Sequence, residues 1–144
     1  MNRRAIHPER YLWSMVAMVI TAPTWAHHSL AGYDMAKTMT AEVTLKEFRW
    51  VSPHSSAVFV IKGAEGKSEN MTLASATPAT FLKQGFKPRD FQEGDKMEIT
   101  WHPAKNGHLG GALATIKLPN GQVFKDVEFE AAGRLAAEQV QSAK

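Results

Sequence analysis

The sequence predicts a mainly β protein: a small OB-like barrel of five to six strands, with one short helix between strands 3 and 4. Three observations carry that expectation. Short apolar or alternating runs recur between turn signals, and the first of them changes its apolar phase partway. A proline-led helical segment then interrupts the series after the third run, as in a small Greek-key barrel. An immunoglobulin-like sandwich is the alternative, but that fold wants about seven strands and no helix.

Before the first strand, residues 1–10 carry Arg3, Arg4 and Arg10 against Glu9, and residues 11–22 are almost wholly apolar. Thr24 and Ala26 supply the small residues that a signal peptidase needs. The apolar run is about a dozen residues, whereas a bilayer span needs roughly 20. Residues 1–26 therefore read as a cleaved signal peptide, leaving no membrane span, and the mature chain starts at His27. Residues 27–39 have no steady period and read as an extended arm.

The barrel domain is expected over residues 40–130. In the first strand Ala41, Val43 and Leu45 share one parity and Phe48 and Trp50 the other. A β-bulge near Lys46-Glu47 restores one inward face and bends the strand. Pro53 marks a turn, because it has no amide to donate to a ladder. Residues 57–61 are apolar without alternation, as in a strand covered on both faces. Residues 63–67 close a hairpin onto a strand at 68–74. Thr77-Pro78 supplies an N-cap and a first-turn proline, and Gly85 a helix stop. Met97, Ile99 and Trp101 alternate with polar neighbours, which puts His102 on the outer face. A glycine-rich loop at 103–111 leads to a strand at 112–118. Asn120-Gly121 signals a two-residue hairpin, and residues 123–129 return as a strand. Residues 131–144 read as a tail, a frayed helix or disordered.

Composition narrows the function classes. Three of the 17 basic residues and one of the 14 acidic residues lie in the leader, which leaves 14 against 13. A net charge of +1 removes the electrostatic argument for nucleic acid. The 118 mature residues suffice for one domain, and with no cysteine the fold must rest on core packing. Trp50, Phe59, Phe81, Phe86, Phe91 and Trp101 are assigned to that core, with Met71 and Met97 as fillers.

Chemistry concentrates in the histidines. Cleavage after Ala26 gives His27 a free α-amine beside its imidazole, with His28 adjacent. His54 falls in the loop between strands 1 and 2 and His108 in the loop between strands 4 and 5. In an OB-like barrel these two loops flank one face, and His102 lies at the base of the second. The candidate metal ligands are therefore His27, His28, His54, His108 and His102. An amine and imidazoles in a flattened set suit Cu(II); paired histidines with Met35 or Met39 suit Cu(I). Zinc is the less favoured ion, since it more often recruits a cysteine or carboxylate. No nucleophile stands beside a base in a recognisable motif, which argues against an enzyme.

His27-His28-Ser29, Tyr33-Asp34, Lys37 and Trp50-Val51-Ser52-Pro53-His54 resemble a family of small exported bacterial proteins of unknown function. Its members pair a His-His-Ser mature N-terminus with a Trp-Val-Asn-Pro-His segment. The similarity continues through Thr77-Pro78, Gly85-Phe86, Glu93-Gly94-Asp95, Pro103-Ala104-Lys105-Asn106-Gly107 and Leu118-Pro119-Asn120-Gly121. Ser52 replaces the family's usual Asn, Phe86 its usual Trp, and a carboxylate is expected near Ala74. The resemblance implies that His27, His28 and His54 act together and brings no activity with it. The expectation is a periplasmic metal-binding protein, for copper storage, delivery or tolerance. The alternative is a metal-free OB-like module or accessory subunit that holds a periplasmic partner protein or small ligand.

Overall fold

The structure is a computed structural model that describes residues 30–63 and 65–142. The leader, His27 and His28 lie outside the described residues. The chain runs β1 (Met39–Arg49), β2 (Ser56–Lys62), β3 (Ser68–Ala74), α1 (Pro78–Lys83), a 3-10 turn (Pro88–Asp90), β4 (Lys96–Pro103), β5 (Gly110–Lys117), β6 (Val123–Lys125) and α2 (Val127–Ser142). The sheet order is β3-β2-β1-β4-β5-β6, and a parallel β3–β5 pairing closes the first five strands into a barrel. β6 is an extra strand on β5, and α1 lies between strands 3 and 4 as expected.

β1 serves two neighbours because it is bulged. Its register against β2 shifts between Leu45 and Glu47, with Lys46 the extra residue. Thr44 pairs on one edge with Val60 of β2 and on the other with Lys96 of β4. The bulge bends the strand so that its first half lies against β4 and its second half against β2. Closure is equally local in origin. A β-carbon on Gly111 would sit 2.0 Å from the His102 carbonyl oxygen, and one on Gly110 2.7 Å from that of Thr72. Only glycine lets β5 slip between β3 and β4 at this point.

The core fills the barrel and continues under α1. Val43, Leu45, Phe59, Met71, Leu73, Met97, Ile99 and Leu113 are buried inward residues. At one end, Phe81 of α1 stacks on Phe124 of β6 with centroids 3.8 Å apart, and Phe48 stacks on Phe91 at 4.3 Å. Trp50 and Phe86 complete this cluster. Pro78 opens α1 at a position where its missing N–H costs nothing, and Gly85, at φ +86°, ends it. The Gln84 side chain then donates to the Lys125 carbonyl at 2.8 Å and accepts from its N–H at 3.1 Å. That amide stands where a further strand would pair, and so blunts the edge of β6.

Three local expectations need correcting. β2 alternates after all: Ala57 and Phe59 are buried while Val58 and Val60 are half-buried, so its apolar outer face is only partly covered. The turn before β6 centres on Pro119-Asn120, with Gly121 N–H bonded to Leu118 O at 2.9 Å and Leu118 N–H to Gln122 O at 2.9 Å. Gly121 alone takes a positive φ, +86°, so a three-residue loop with a glycine bulge replaces the Asn-Gly turn. Lastly, β6 stops at Lys125 and α2 begins at Val127, whereas the sequence pattern predicts strand to Phe129.

Candidate functional site

The N-terminal arm is docked along the rim of the barrel. Tyr33 bridges to Ala104, the Asp34 N–H donates to Pro103 O at 2.8 Å, and the Lys105 N–H donates to Gly32 O at 2.9 Å. Residues 32–34 thus extend the ladder past the end of β4 into the β4–β5 loop. The arm turns at Asp34, whose carbonyl accepts from Lys37 N–H at 3.1 Å. His102 fastens it further along, its Nδ1 lying 2.9 Å from the Lys37 carbonyl. A carbonyl only accepts, so Nδ1 carries the hydrogen and the neutral ring keeps Nε2 as a free donor atom for a metal. His102 is half-buried on the outer face of β4, the face its strand phase predicted.

α2 covers the arm from above. Phe129 meets Tyr33 edge-on with centroids 6.2 Å apart and lies nearly parallel to the His54 ring at 6.2 Å. Gly133 approaches Met35 closely enough that a β-carbon would be 3.1 Å from its methyl. One aromatic ring therefore joins the β1–β2 loop to the arm. His108 is exposed in the β4–β5 loop, where its backbone N–H donates to Asn106 Oδ1 at 3.1 Å. His54, His102 and His108 all belong to this rim region by their loops, but they do not converge by themselves. Among the described residues no three histidine or carboxylate side chains form a metal-holding group.

What sets Phe129 in place is Asp126, which sequence reasoning missed. Its Oδ1 accepts from the Phe129 N–H at 3.2 Å, as a helix N-cap, and its Oδ2 from the Ala76 N–H at 2.7 Å and the Ser75 hydroxyl at 3.1 Å. The residue is 1% exposed. Burial raises its pKa to about 6 against the pull of those three hydrogen bonds, and nearby Glu128 adds to the rise. Glu128 in turn accepts from the hydroxyls of Thr77, the N-cap of α1, and Thr80 within it. The signal was present: aspartate followed by an acidic first turn, Glu128 and Glu130, is a helix start. Beside this clasp the Ser55 hydroxyl is buried with no hydrogen-bond partner among the described residues.

The fold and rim define a small β-barrel of OB-like topology whose N-terminal arm is strapped beside its loop histidines. The chain belongs to a family of unknown function (DUF6152), which matches residues 15–114. The matched span ends within β5, so β6, Asp126 and α2 lie beyond it. No curated protein and no solved structure matches the chain. No helix among the described residues is long and apolar enough to cross a membrane.

Proposed function

We propose that this is an exported metal-binding protein, with copper as the best chemical fit, that stores, delivers or buffers the ion outside the cytoplasm. The observation that supports it is the docking of the arm on the β4–β5 loop. At about 3.3–3.6 Å per residue, His28 lies within about 7 Å of Leu30 and His27 within about 11 Å. With cleavage after Ala26, that reach would keep the mature chain start near the rim that carries His54 and His108. In this reading His27 chelates through its amine and ring, and His28, His54 or His108 completes the set. His102 contributes Nε2 or serves to hold the arm. Zinc is the competing ion, and ligation by carboxylates would favour it.

The α-amine titrates near 7.7 and histidine near 6.5, and both must be unprotonated to bind. Affinity should therefore weaken as pH falls below about 6.5. Intact mass of the exported protein, apo and with added copper, tests the cut site and the metal together. Acetylating the α-amine of the mature chain should weaken Cu(II) binding by at least about tenfold in a calorimetric titration; unchanged affinity would rule out the amine chelate. A metal-free binding module is the second reading, favoured by Val51 and Leu109, exposed at 51% and 44% on the β1–β2 and β4–β5 loops. It predicts no response to either metal.

A further inference from the structure

The bulge at Lys46 also opens the barrel wall. Thr44 is the last β1 residue paired with β2, opposite Val60. Toward the start of β1, Glu42 and Val43 pair only with β4; past Val60, Ile61 and Lys62 pair only with β3. Continued register would set Val43 opposite Ile61 and Glu42 opposite Lys62. Among the described residues these facing edges form no strand pair. The two strands part there, and a groove of about 500 Å³ lies between them.

The walls of the groove are these same two edges, with Met97 and Leu118 as an apolar floor. Ile61 continues the inward parity of Ala57 and Phe59 but is only half-buried, because β1 has left its side. The rim carries both signs of charge. Lys62, Lys96 and Lys117 make no ion pair among the described residues, while Glu42 stands directly opposite Glu98. Like charges facing across strands are unfavourable unless something comes between or beside them.

Unpaired N–H and C=O groups on a sheet edge are a template for another strand. A fatty acid or an inorganic anion would meet the lysines and leave the main-chain edges and the two carboxylates unanswered. An extended polypeptide answers all three. We propose that this groove holds an extended segment of a partner protein, added as a strand to the free edge of β1 at Glu42. Leu45 bonds Asp95 and Gly94 on the β4 side, so by alternation Val43 faces β4 and Glu42 faces the groove. Main-chain bonds supply the attachment; alternate apolar side chains rest on Met97 and Leu118, and charged ones reach the rim. The site is distinct from the histidine rim and does not depend on any metal.

The test uses the full mature chain, isotope-labelled, with blocked hexapeptides at millimolar concentration. The probes alternate valine with glutamate or valine with lysine, with fully N-methylated versions and decanoate as controls. Val43 and Ile61, which face β4 and β3, serve as internal references. Amide exchange at Glu42 or Lys62, whose N–H groups face the groove, should slow by about tenfold or more with at least one unmethylated peptide. It should stay unchanged with the N-methylated versions, which cannot pair. Lys62→Glu combined with Lys117→Glu, both on the surface, should strengthen the effect of the lysine peptide relative to the glutamate peptide. Unchanged amides with both peptides overturn the proposal, as does an equal effect of the N-methylated forms. If decanoate produces the same perturbation, the groove is an amphiphile site instead.

Discussion

Asp126 concentrates the protein's electrostatics in one carboxylate. Its folded-state pKa of about 6 stands above the ordinary 3.8, so the folded chain holds this proton more tightly than the unfolded chain. The associated stabilisation is fully present below about pH 3.8 and is lost as pH rises through about 6, a loss of about 3 kcal/mol at most. Denaturant unfolding of wild type and Asp126→Asn should therefore diverge with pH. The stability of wild type minus that of the variant is expected to fall by about 1–3 kcal/mol between pH 4 and pH 7. A flat difference would show that the three hydrogen bonds offset the burial in full. Two glycines make a second comparison at this scale. Gly111→Ala drives a methyl into the His102 carbonyl and should cost more than about 3 kcal/mol. Gly121→Ala has open space and only a positive φ to tolerate, and should cost about 1–2 kcal/mol.

At the scale of elements, α2 and the arm form a pair that the barrel does not need for closure. Phe129 links them, and His102 ties the arm to β4. Phe129→Ala should release both Tyr33 and His54, and hydrogen exchange at residues 33–37 should rise by about tenfold or more while the barrel strands stay protected. Protection unchanged in the arm would mean that its backbone bonds to residues 103–105 suffice. His102→Ala should cost about 1 kcal/mol, the net worth of one hydrogen bond, read as a shift in the unfolding midpoint. Much of this level was legible beforehand. The phase change from Leu45 to Phe48 located the bulge, and Thr77-Pro78 and Gly85 located α1, because each is a local steric or hydrogen-bonding rule. The start of α2 was misread because Val123 to Phe129 contains apolar residues at strand-like spacing. The cap that cuts that run is paid for by Ala76 and Ser75, some 50 positions away.

For the whole molecule, the proposed copper binding can be read as a stability experiment as well as an affinity one. The His27 amine and ring would chelate copper in the unfolded chain as well, so only ligation by His54 or His108 stabilises the fold. The gain is less than about 2.7 kcal/mol, the value for a ligand of the folded chain alone at about 100 times its Kd. Copper should accordingly raise the thermal midpoint of the mature chain more at pH 7.5 than at pH 5, because ligation needs the amine and imidazoles unprotonated. His54→Ala and His108→Ala report which loop takes part, since neither side chain belongs to the core. The groove between β1 and β2 sits apart from this rim, so peptide addition and metal binding should be independent. A double titration showing coupling between them would contradict that separation.

The sequence by itself determined the β architecture, the bent first strand, the position of α1, the aromatic core and the absence of any cysteine staple. These follow from periodicity, proline and glycine placement and residue type, all of which act within a few positions of the chain. Tertiary structure alone decided that β5 closes on β3, that Asp126 is buried, that Phe129 holds the arm beside His54, and that β1 and β2 part at Thr44. Each of these joins segments tens of residues apart, where the deciding quantities are register and close approach, and no local pattern encodes either one.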